Sequence, residues 1–592
     1  MSTSVSASAT PVRPQLRWGL AAYVALVVVA MTLAIVIPKS GYVLNISMQA
    51  TTYAIAVLGL TVVLGLCGQI NLAQAAFFGL GAYAVGIGQT EYGINFWVCL
   101  LLGMSAAAFM GAVLGASTLK LGGHYLAMVT ISFQQIVTLV LINWIPVTKG
   151  PDGVRAIPRP ALFADASTFL ALCIAVLAGC GYLLWRLRDT QLGRAMRAVR
   201  DNELAASVAG IDVYRTKVLA FAISSVLGGL GGGLFAAGFA YVSPDQFSFA
   251  ESVVFLTMVL LGGVSSPIGA AIGTGLLILI PEWLRFLKSV PGLYLAIYGA
   301  AVILIVLFMP DGIWGFIRGH LDRFKRRPPL AGATPHLQFA GGGSGTQTVL
   351  ELKGLSKHFG GLKAVDEVDL AIRRGGVHAL IGPNGSGKTT TLNVISGLYR
   401  ATSGKIFLNG RDITDLPPHA RTVAGLGRTF QNIRLWRSMT AMENVMIGAE
   451  RPGSALSADS EAVVTRARAA LAFVGLEARA DELVSGFSYG HQRAVEIARA
   501  LAADPVLLLL DEPGAGLNSS EKVELRDLLK RISARGLTIL IIDHDMTLVS
   551  EVAQHITVLN FGRRIADGYS AEVLRHPDVV AAYLGTAPDV AA

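Results

Sequence analysis

Charge is scarce in this sequence. Asp, Glu, Lys and Arg make up 15% of its 592 residues, against roughly a quarter in soluble globular proteins. The four cysteines, Cys67, Cys99, Cys173 and Cys180, show no CxxC or other metal-ligand spacing. Cys173 and Cys180 stand two helical turns apart, too far to bridge. A zinc module and a disulfide scaffold are thereby excluded, and the four read as small apolar packing residues. The second half also lacks a charge surplus: residues 331–592 hold 27 Lys/Arg and 27 Asp/Glu, whereas residues 1–330 hold 21 and 12. A nucleic-acid binder would carry a basic patch on its soluble part, and none is evident. No nucleic-acid partner is expected.

Hydrophobic sequence is abundant, at 53% of residues, and the length calls for two or more domains. A Ser/Ala/Pro-rich tail, 1–18, precedes an apolar run at 19–38. Arg13 and Arg17 flank that run on its N-terminal side, so it reads as an uncleaved first helix with a cytoplasmic N-terminus. Further apolar segments near 43–66, 72–89, 94–117, 125–146, 168–185, 217–241, 250–280 and 292–310 predict about eight to ten crossings. The excess of basic residues in this half matches loops that face an anionic cytoplasmic leaflet, with membrane lipid as the surrounding partner.

Within the membrane half, Gly228, Gly229, Gly231, Gly232 and Gly233 favour close helix approach. The run Leu261-Gly-Gly-Val-Ser-Ser-Pro-Ile-Gly269 should break its segment in two. Gln69, Asn71, Gln74, Gln134 and Gln135 are polar residues in apolar surroundings. They read either as interhelical hydrogen-bond formers or as solute contacts. Residues 186–217 carry Arg186, Arg188, Arg194, Arg197, Arg200, Arg215 and Lys217, which places this loop in the cytoplasm.

From about residue 349 short apolar strands alternate with amphipathic helices, the mark of an α/β domain. Ala379-Leu-Ile381 ends a strand, and Gly382-Pro383-Asn384-Gly385-Ser386-Gly387-Lys388-Thr389 follows, with Thr390 behind it. This is the GxxxxGK[ST] loop in its strand-loop-helix setting. Its glycines let backbone N–H groups surround phosphates at a helix N-terminus. Lys388 suits the β- and γ-phosphates, and the Thr389 hydroxyl suits Mg2+. The strand Val506-Leu-Leu-Leu-Leu510 runs into Asp511-Glu512-Pro513; Asp511 fits a Mg2+-side carboxylate and Glu512 a general base that orients water. Between the halves, 318–348 is first basic and then Gly/Ser-rich, with Gly341-Gly-Gly-Ser-Gly345, and reads as a flexible tether.

These elements, in this order, resemble an ABC ATPase. Phe487-Ser488-Tyr489-Gly490-His491-Gln492 resembles the ABC signature, whose Ser488 and Gly490 would face the γ-phosphate in a second ATPase. Ile541-Ile-Asp-His544 resembles the switch-histidine strand end, and Arg428-Thr-Phe-Gln431 the Q-loop. Phe359 matches the aromatic that stacks on adenine, and Gly514-Ala-Gly-Leu-Asn518 the D-loop. The resemblance implies catalytic roles for Glu512, His544 and Gln431, with Thr389, Gln431 and Asp511 around Mg2+. Two positions depart from the pattern: His491 stands where Gln is usual, and Asn518 where many relatives carry Asp. In the membrane half, Asp201-Asn-Glu203-Leu-Ala205-Ala206-Ser-Val-Ala-Gly210 resembles the Glu-Ala-Ala…Gly coupling motif of importer permeases, with Leu204 interrupting it.

Gly68-Gln-Ile-Asn-Leu-Ala-Gln-Ala-Ala-Phe-Phe-Gly-Leu-Gly-Ala-Tyr83, His124-Tyr-Leu-Ala-Met-Val-Thr130, Gly150-Pro-Asp-Gly153 and Gly193-Arg-Ala-Met-Arg-Ala-Val-Arg200 resemble the permeases of branched-chain amino acid ABC importers. Arg428-Thr-Phe-Gln431, Ser488-Tyr-Gly490 and Asp578-Val-Val-Ala-Ala-Tyr-Leu-Gly585 resemble the ATPase subunits of the same systems. The expected architecture is a polytopic α-helical permease over 19–317 fused to an α/β P-loop ABC ATPase domain over 349–588. The resemblance implies a half-transporter in the cell inner membrane, its ATPase in the cytoplasm, using ATP and Mg2+. An extracytoplasmic binding protein would deliver branched-chain amino acids, or else urea, short amides or aromatic acids. A second permease and a second ATPase complete the assembly, with a heteromer favoured over a homodimer. An exporter, which would have about six long crossings per half, and a soluble remodelling ATPase are the competing classes.

Overall fold

The computed structural model describes residues 25, 27–36, 41–118, 123–283, 299–300, 303–304, 307–309, 311–322, 337, 339, 347–450 and 461–584. The expected N-terminal tail lies outside them, as do much of the first apolar run, most of the run near 292–310, most of the 318–348 tether and Gly585. The chain forms two compact units, Met1–Arg188 with Lys217–Lys325, and Asp189–Thr216 with Arg326–Ala592. Residues 189–216 therefore pack with the α/β half, although their neighbours on both sides belong to the apolar half.

The first unit includes a short apolar helix over Val27–Val36 and the helices α1 (Gly41–Leu60), α2 (Gln74–Thr90), α3 (Phe96–Thr118), α4 (Gly123–Asn143) and α5 (Ala166–Arg188). The loop helices α6 (Gln191–Asp201) and α7 (Glu203–Val208) follow, and then α8 (Val213–Phe239), α9 (Phe249–Gly262), α10 (Pro267–Trp283) and α11 (Gly312–Asp322). Among the described residues five helices are long and apolar enough to cross a membrane, or six if α9 and α10, bent by 119°, count as one. The bend falls inside the expected Leu261–Gly269 break. The run near 72–89 forms the 17-residue α2, about 25 Å long at 1.5 Å per residue and so short of a 30 Å hydrocarbon layer. Arg186 and Arg188 lie in α5, and Arg215 and Lys217 in α8, so the basic loop is shorter than the sequence suggested.

Most of the intramembrane amides tie helices together. Gln74 is fully buried; its amide donates to Ala56 O at 2.7 Å and Ser224 O at 3.2 Å and accepts from Ser224 Oγ at 3.1 Å. Gln134, also fully buried, accepts from Ala76 N at 2.6 Å and donates to Phe247 O at 2.6 Å. With no water to satisfy them in an apolar layer, such groups must pair internally. Asn71 donates to Gln74 at 3.2 Å and the half-buried Gln69 to Cys67 O at 3.3 Å, whereas Gln135 is exposed. The glycine cluster on α8 allows backbone contact: a Cβ on Gly232 would stand 1.8 Å from Phe78 O of α2. All four cysteines are free.

The second unit contains strands β1 (Thr348–Phe359), β2 (Leu362–Arg373) and β3 (Gly376–Ile381), then α12 (Lys388–Ile395), β4 (Ser403–Leu408), β5 (Arg411–Asp412), α13 (Pro418–Val423) and β6 (Leu426–Arg428). Helices α14 (Ala441–Ala449), α15 (Glu461–Phe473) and α16 (Tyr489–Ala502) precede β7 (Leu507–Asp511), α17 (Ser519–Ala534), β8 (Thr538–Ile542), α18 (Met546–Val552), β9 (His555–Asn560) and β10 (Arg563–Tyr569). Strands β2-β1-β4-β5 form an antiparallel sheet; β10-β9-β3-β8-β7-β6 form a second, parallel except for β10. The central strands are apolar at nearly every position because both faces are covered. Leu507 and Leu509 join one core with Leu380, Leu540 and Ile542, and Leu508 and Leu510 join the other with Ala379, Ile539 and Ile541. Each of the Leu and Ile side chains contributes about 1.5–3 kcal/mol by leaving water. The strand ends at Ile381, Asp511 and Ile542 lead into the P-loop, the acidic pair and the histidine strand end.

A polar relay fastens β3 at its other face. Thr557 Oγ donates to Asp567 Oδ1 at 2.5 Å, so His378 Nε2, 2.8 Å from Thr557, must donate in turn. Burial, with the neighbouring His555 adding to it, pushes the His378 imidazole down to about 4. The unfolded imidazole titrates near 6.5, so the unfolded state takes up the proton first. Stability is therefore full above pH 6.5 and falls as the pH drops toward 4, by about 3 kcal/mol for this group. Thermal unfolding of the full chain between pH 7 and pH 4 should show that loss, and His378→Gln should flatten it. An unchanged profile in the variant refutes the assignment.

Candidate nucleotide site and loop-docking groove

The loop between β3 and α12 is held by backbone. Gly387 has φ +98° and a Cβ there would stand 2.3 Å from Ala364 O. Gly382 and Gly385 also have positive φ, and Gly562 N donates to Ser386 O at 3.1 Å. Asn384 and Gly385 are exposed and Pro383 is half-buried. Lys388 Nζ donates to Gly382 O at 2.8 Å and Pro383 O at 2.9 Å. Burial pulls its ammonium below the ordinary lysine value, while the nearby Glu512 and Asp511 carboxylates oppose that pull. Thr389 is exposed and Thr390 half-buried in the first turn of α12.

Facing this loop, Asp511 closes β7 at 2% exposure. Burial raises its carboxyl's pKa and Glu512 adds to the rise, against Arg428, whose Nη2 lies 3.5 Å away. Asp511 Oδ1 is buried with no hydrogen-bond partner. Glu512 adopts φ +44°, anchored by its N–H to Ile542 O at 2.7 Å. Its carboxylate accepts from Gln431 Nε2 at 2.9 Å and lies 3.6 Å from His544 Nδ1. The fold thus brings Gln431, Glu512 and His544 together from three separate strand ends. The unpartnered buried oxygen of Asp511, the Thr389 hydroxyl and the Gln431 amide carbonyl are all oxygen donors, the chemistry that Mg2+ takes.

Phe359, at the end of β1, is an exposed ring. Tyr399 meets it edge-on at 5.4 Å and Lys357 Nζ lies 4.9 Å from its centroid. The signature residues lie at the start of α16. Ser488 is its N-cap and accepts from His491 N at 3.3 Å. The Tyr489 ring occupies the space that a Cβ on Gly516 would need, and Gly490 leaves space that a Cβ would take from Glu521. His491 Nδ1 accepts from Arg479 at 3.2 Å, and Gln492 donates to Phe487 O at 2.9 Å. Asn518 caps α17 in a reciprocal pair with Glu521, a task Asn performs as well as Asp.

The loop helices sit against the same unit. Asn202 ends α6 and caps α7, accepting from Ala205 N at 2.9 Å. Ala205, Ala206 and Val208 are buried, whereas Glu203 and Leu204 are exposed. The motif's interruption by Leu204 therefore falls on the outer face. The groove around α7 is lined by Thr422, Gly427, Arg428, Phe430 and Ala500, among others. Thr422 Oγ donates to Val208 O at 2.8 Å. Gly210, at φ +96°, ends the turn near Thr422.

Residues 42–307 match the family described as branched-chain amino acid transport system / permease component, and residues 365–515 match ABC transporter. The high-affinity branched-chain amino acid transport ATP-binding protein BraF of Pseudomonas aeruginosa is 39% identical over 254 residues, 41% of this chain and 100% of that protein. The permease protein LivM of the corresponding Salmonella typhimurium system is 33% identical over 324 residues, 50% of this chain and 75% of LivM. The chain belongs to the branched-chain amino acid ABC transporter family. Its permease and ATP-binding components are fused in one polypeptide. A solved ATP-binding cassette of an ABC transporter in its ADP conformation is 34% identical, matching 40% of this chain and 100% of that one, at a TM-score of 0.37.

Some residues of this ABC ATPase escape a motif reading because they act on backbone. Arg493 donates to Phe430 O at 2.6 Å and Gln431 O at 2.7 Å and pairs with Glu496 at 2.8 Å. Glu496 also accepts from the Phe430 and Arg434 amides, and Arg499 donates to Arg434 O at 2.7 Å. The sequence signal was three charged residues on the inward face of an amphipathic helix. Glu496→Leu leaves two buried arginines without their counter-charge and should cost about 3–5 kcal/mol. Chemical unfolding of the full chain measures it; a loss below about 1 kcal/mol, the size of a surface pair, contradicts a structural role.

Proposed function

We propose that the chain is half of an ATP-driven importer of branched-chain amino acids. Its permease spans about 19–317, its tether 318–348 and its nucleotide-binding domain 349–588. The observation that carries this reading is the continuity of one segment. Arg428 and Phe430 line the groove that holds α7, and the next residue, Gln431, is bonded to Glu512. A change at the hydrolytic carboxylate therefore reaches the permease loop through two adjacent residues, Gln431 and Phe430.

In this mechanism the adenine stacks on Phe359, beside Tyr399. The 382–390 loop surrounds the phosphates with N–H groups, and Lys388 neutralises the β- and γ-phosphates as it exchanges its carbonyl partners for them. Thr389, Gln431 and Asp511 would hold Mg2+, which when bound would offset charge on the phosphates. Glu512, fixed by its left-handed backbone, orients the attacking water and accepts its proton. His544, 3.6 Å from the Glu512 carboxylate, contacts the γ-phosphate. Ser488, Tyr489, Gly490, His491 and Gln492 act on the nucleotide of a second ATPase subunit. A second, unlike permease and ATPase complete the complex, as expected of a system whose relatives are separate permease and ATP-binding proteins. A binding protein delivers the solute outside the inner membrane, while the ATPase works in the cytoplasm.

Lys388→Ala should abolish ATP turnover, and Glu512→Gln should bind ATP but turn over at least a hundredfold more slowly. Phosphate release by the reconstituted complex decides both, and near-normal turnover in either removes the assigned role. Gly210→Val forces a β-branched side chain into positive φ. That change, or charge reversal at Glu203, should abolish uptake of radiolabelled leucine while nucleotide binding persists. Uptake that survives both changes means the loop is not the coupling element.

A further inference from the structure

The helix before the coupling motif carries a second set of contacts. Arg194, Arg197 and Arg200 recur at intervals of three on α6, one face of a helix. Arg194 Nε donates to Glu450 at 2.6 Å, and both side chains are nearly buried, at 4% and 6% exposure. Its Nη1 also donates to Asp189 O at 2.9 Å. Arg197 pairs with Glu443 at 2.9 Å, and Arg200 donates to Ser438 Oγ at 3.1 Å, which in turn donates to Asp201 at 2.6 Å. Glu443 and Glu450 mark the two ends of α14. Both ion pairs to this helix have the same polarity, with the cation on the permease loop and the carboxylate on the ATPase side.

A buried ion pair such as Arg194–Glu450 adds little net attraction, because desolvation offsets the Coulomb gain. It penalises a mismatched surface heavily, since either charge left alone stays buried without its counter-charge. Attraction is already supplied by Ala205, Ala206 and Val208 in their groove. A complex with two permeases and two ATPases faces a sorting problem, and a covalent tether raises local concentration without choosing between docking sites. We propose that the α6 arginine ladder is a recognition code that commits this permease loop to an ATPase bearing acids at both ends of the α14 position, its own tethered ATPase first. This rests on the reading of 201–210 as the ATPase contact, but its test needs no transport.

A protease site placed within 341–345 of the otherwise intact chain allows the tether to be cut after purification in detergent, with a tag on the ATPase half. The wild-type halves should stay together. Glu450→Arg and Arg194→Glu should each weaken retention by roughly a hundredfold, with ATP binding of the same samples reporting that the ATPase remains folded. The double variant R194E/E450R should recover most of the retention. The apolar pair R194M/E450L should also hold, since shape and burial are kept without charge. Retention in either single variant overturns the proposal, as does failure of the swap to restore it. Loss of retention in the apolar pair overturns the claim that the charges select rather than adhere. If the ladder passes while uptake fails in every form, the pairing stands and the import reading alone falls.

Discussion

Arg493 and Glu496, with 1% and 0% of their surfaces exposed, hold the stretch from Phe430 to Arg434 by its own backbone groups. That stretch has no regular structure with which to satisfy its amides and carbonyls, so charged side chains from α16 do so in its place. The cost of burying the pair is offset by their mutual ion pair and by the backbone groups each charge meets. Release of either charge would free Gln431 from Glu512 on one side and Phe430 from the α7 groove on the other. Nucleotide chemistry and loop docking share one clamp.

The same clamp extends to the signature. Ser488 caps α16, the helix that carries Arg493, Glu496 and Arg499. A rigid helix thus joins the residues that would act on a second ATPase's nucleotide to the residues that position this ATPase's Gln431. Arg428 adds a further link, bonding Ser396 and Asn393 of the P-loop side and standing beside Asp511. In the membrane unit the corresponding constraint is the amide rather than the ion pair: Gln74 and Gln134 each satisfy backbone groups of neighbouring segments. The choice follows the medium, since a neutral amide costs less to bury than a charge.

Much of the nucleotide site was legible because its demands are local. The glycines at 382, 385 and 387 sit at positive φ, where other residues are strained, and Asp511-Glu512 sits at the end of an apolar strand because both sheet faces are covered. The expected break near 261–269 was legible for a similar reason: glycines, serines and a proline cannot continue an apolar helix. The number of crossings was less so, since α2 is apolar but only 17 residues long. The amides were ambiguous between structure and solute, and only the positions of Ala56, Ser224, Ala76 and Phe247 decided for Gln74 and Gln134.

By itself the sequence determined the chemistry: a phosphate-binding loop, an acidic strand end, a run of apolar helices and a basic loop between two of them. Periodicity, glycine and charge are properties of neighbours along the chain, so they can be read there. Tertiary structure alone decided which distant groups meet. It brought Gln431 to Glu512 and Arg493 to the Phe430 carbonyl, seated Ala205 and Ala206 beneath an exposed Leu204, and set Arg194 against Glu450, 256 residues away in the chain. Those contacts depend on burial that withdraws charges from water, and no stretch of sequence specifies how deeply a residue will be buried until the surrounding layers have packed.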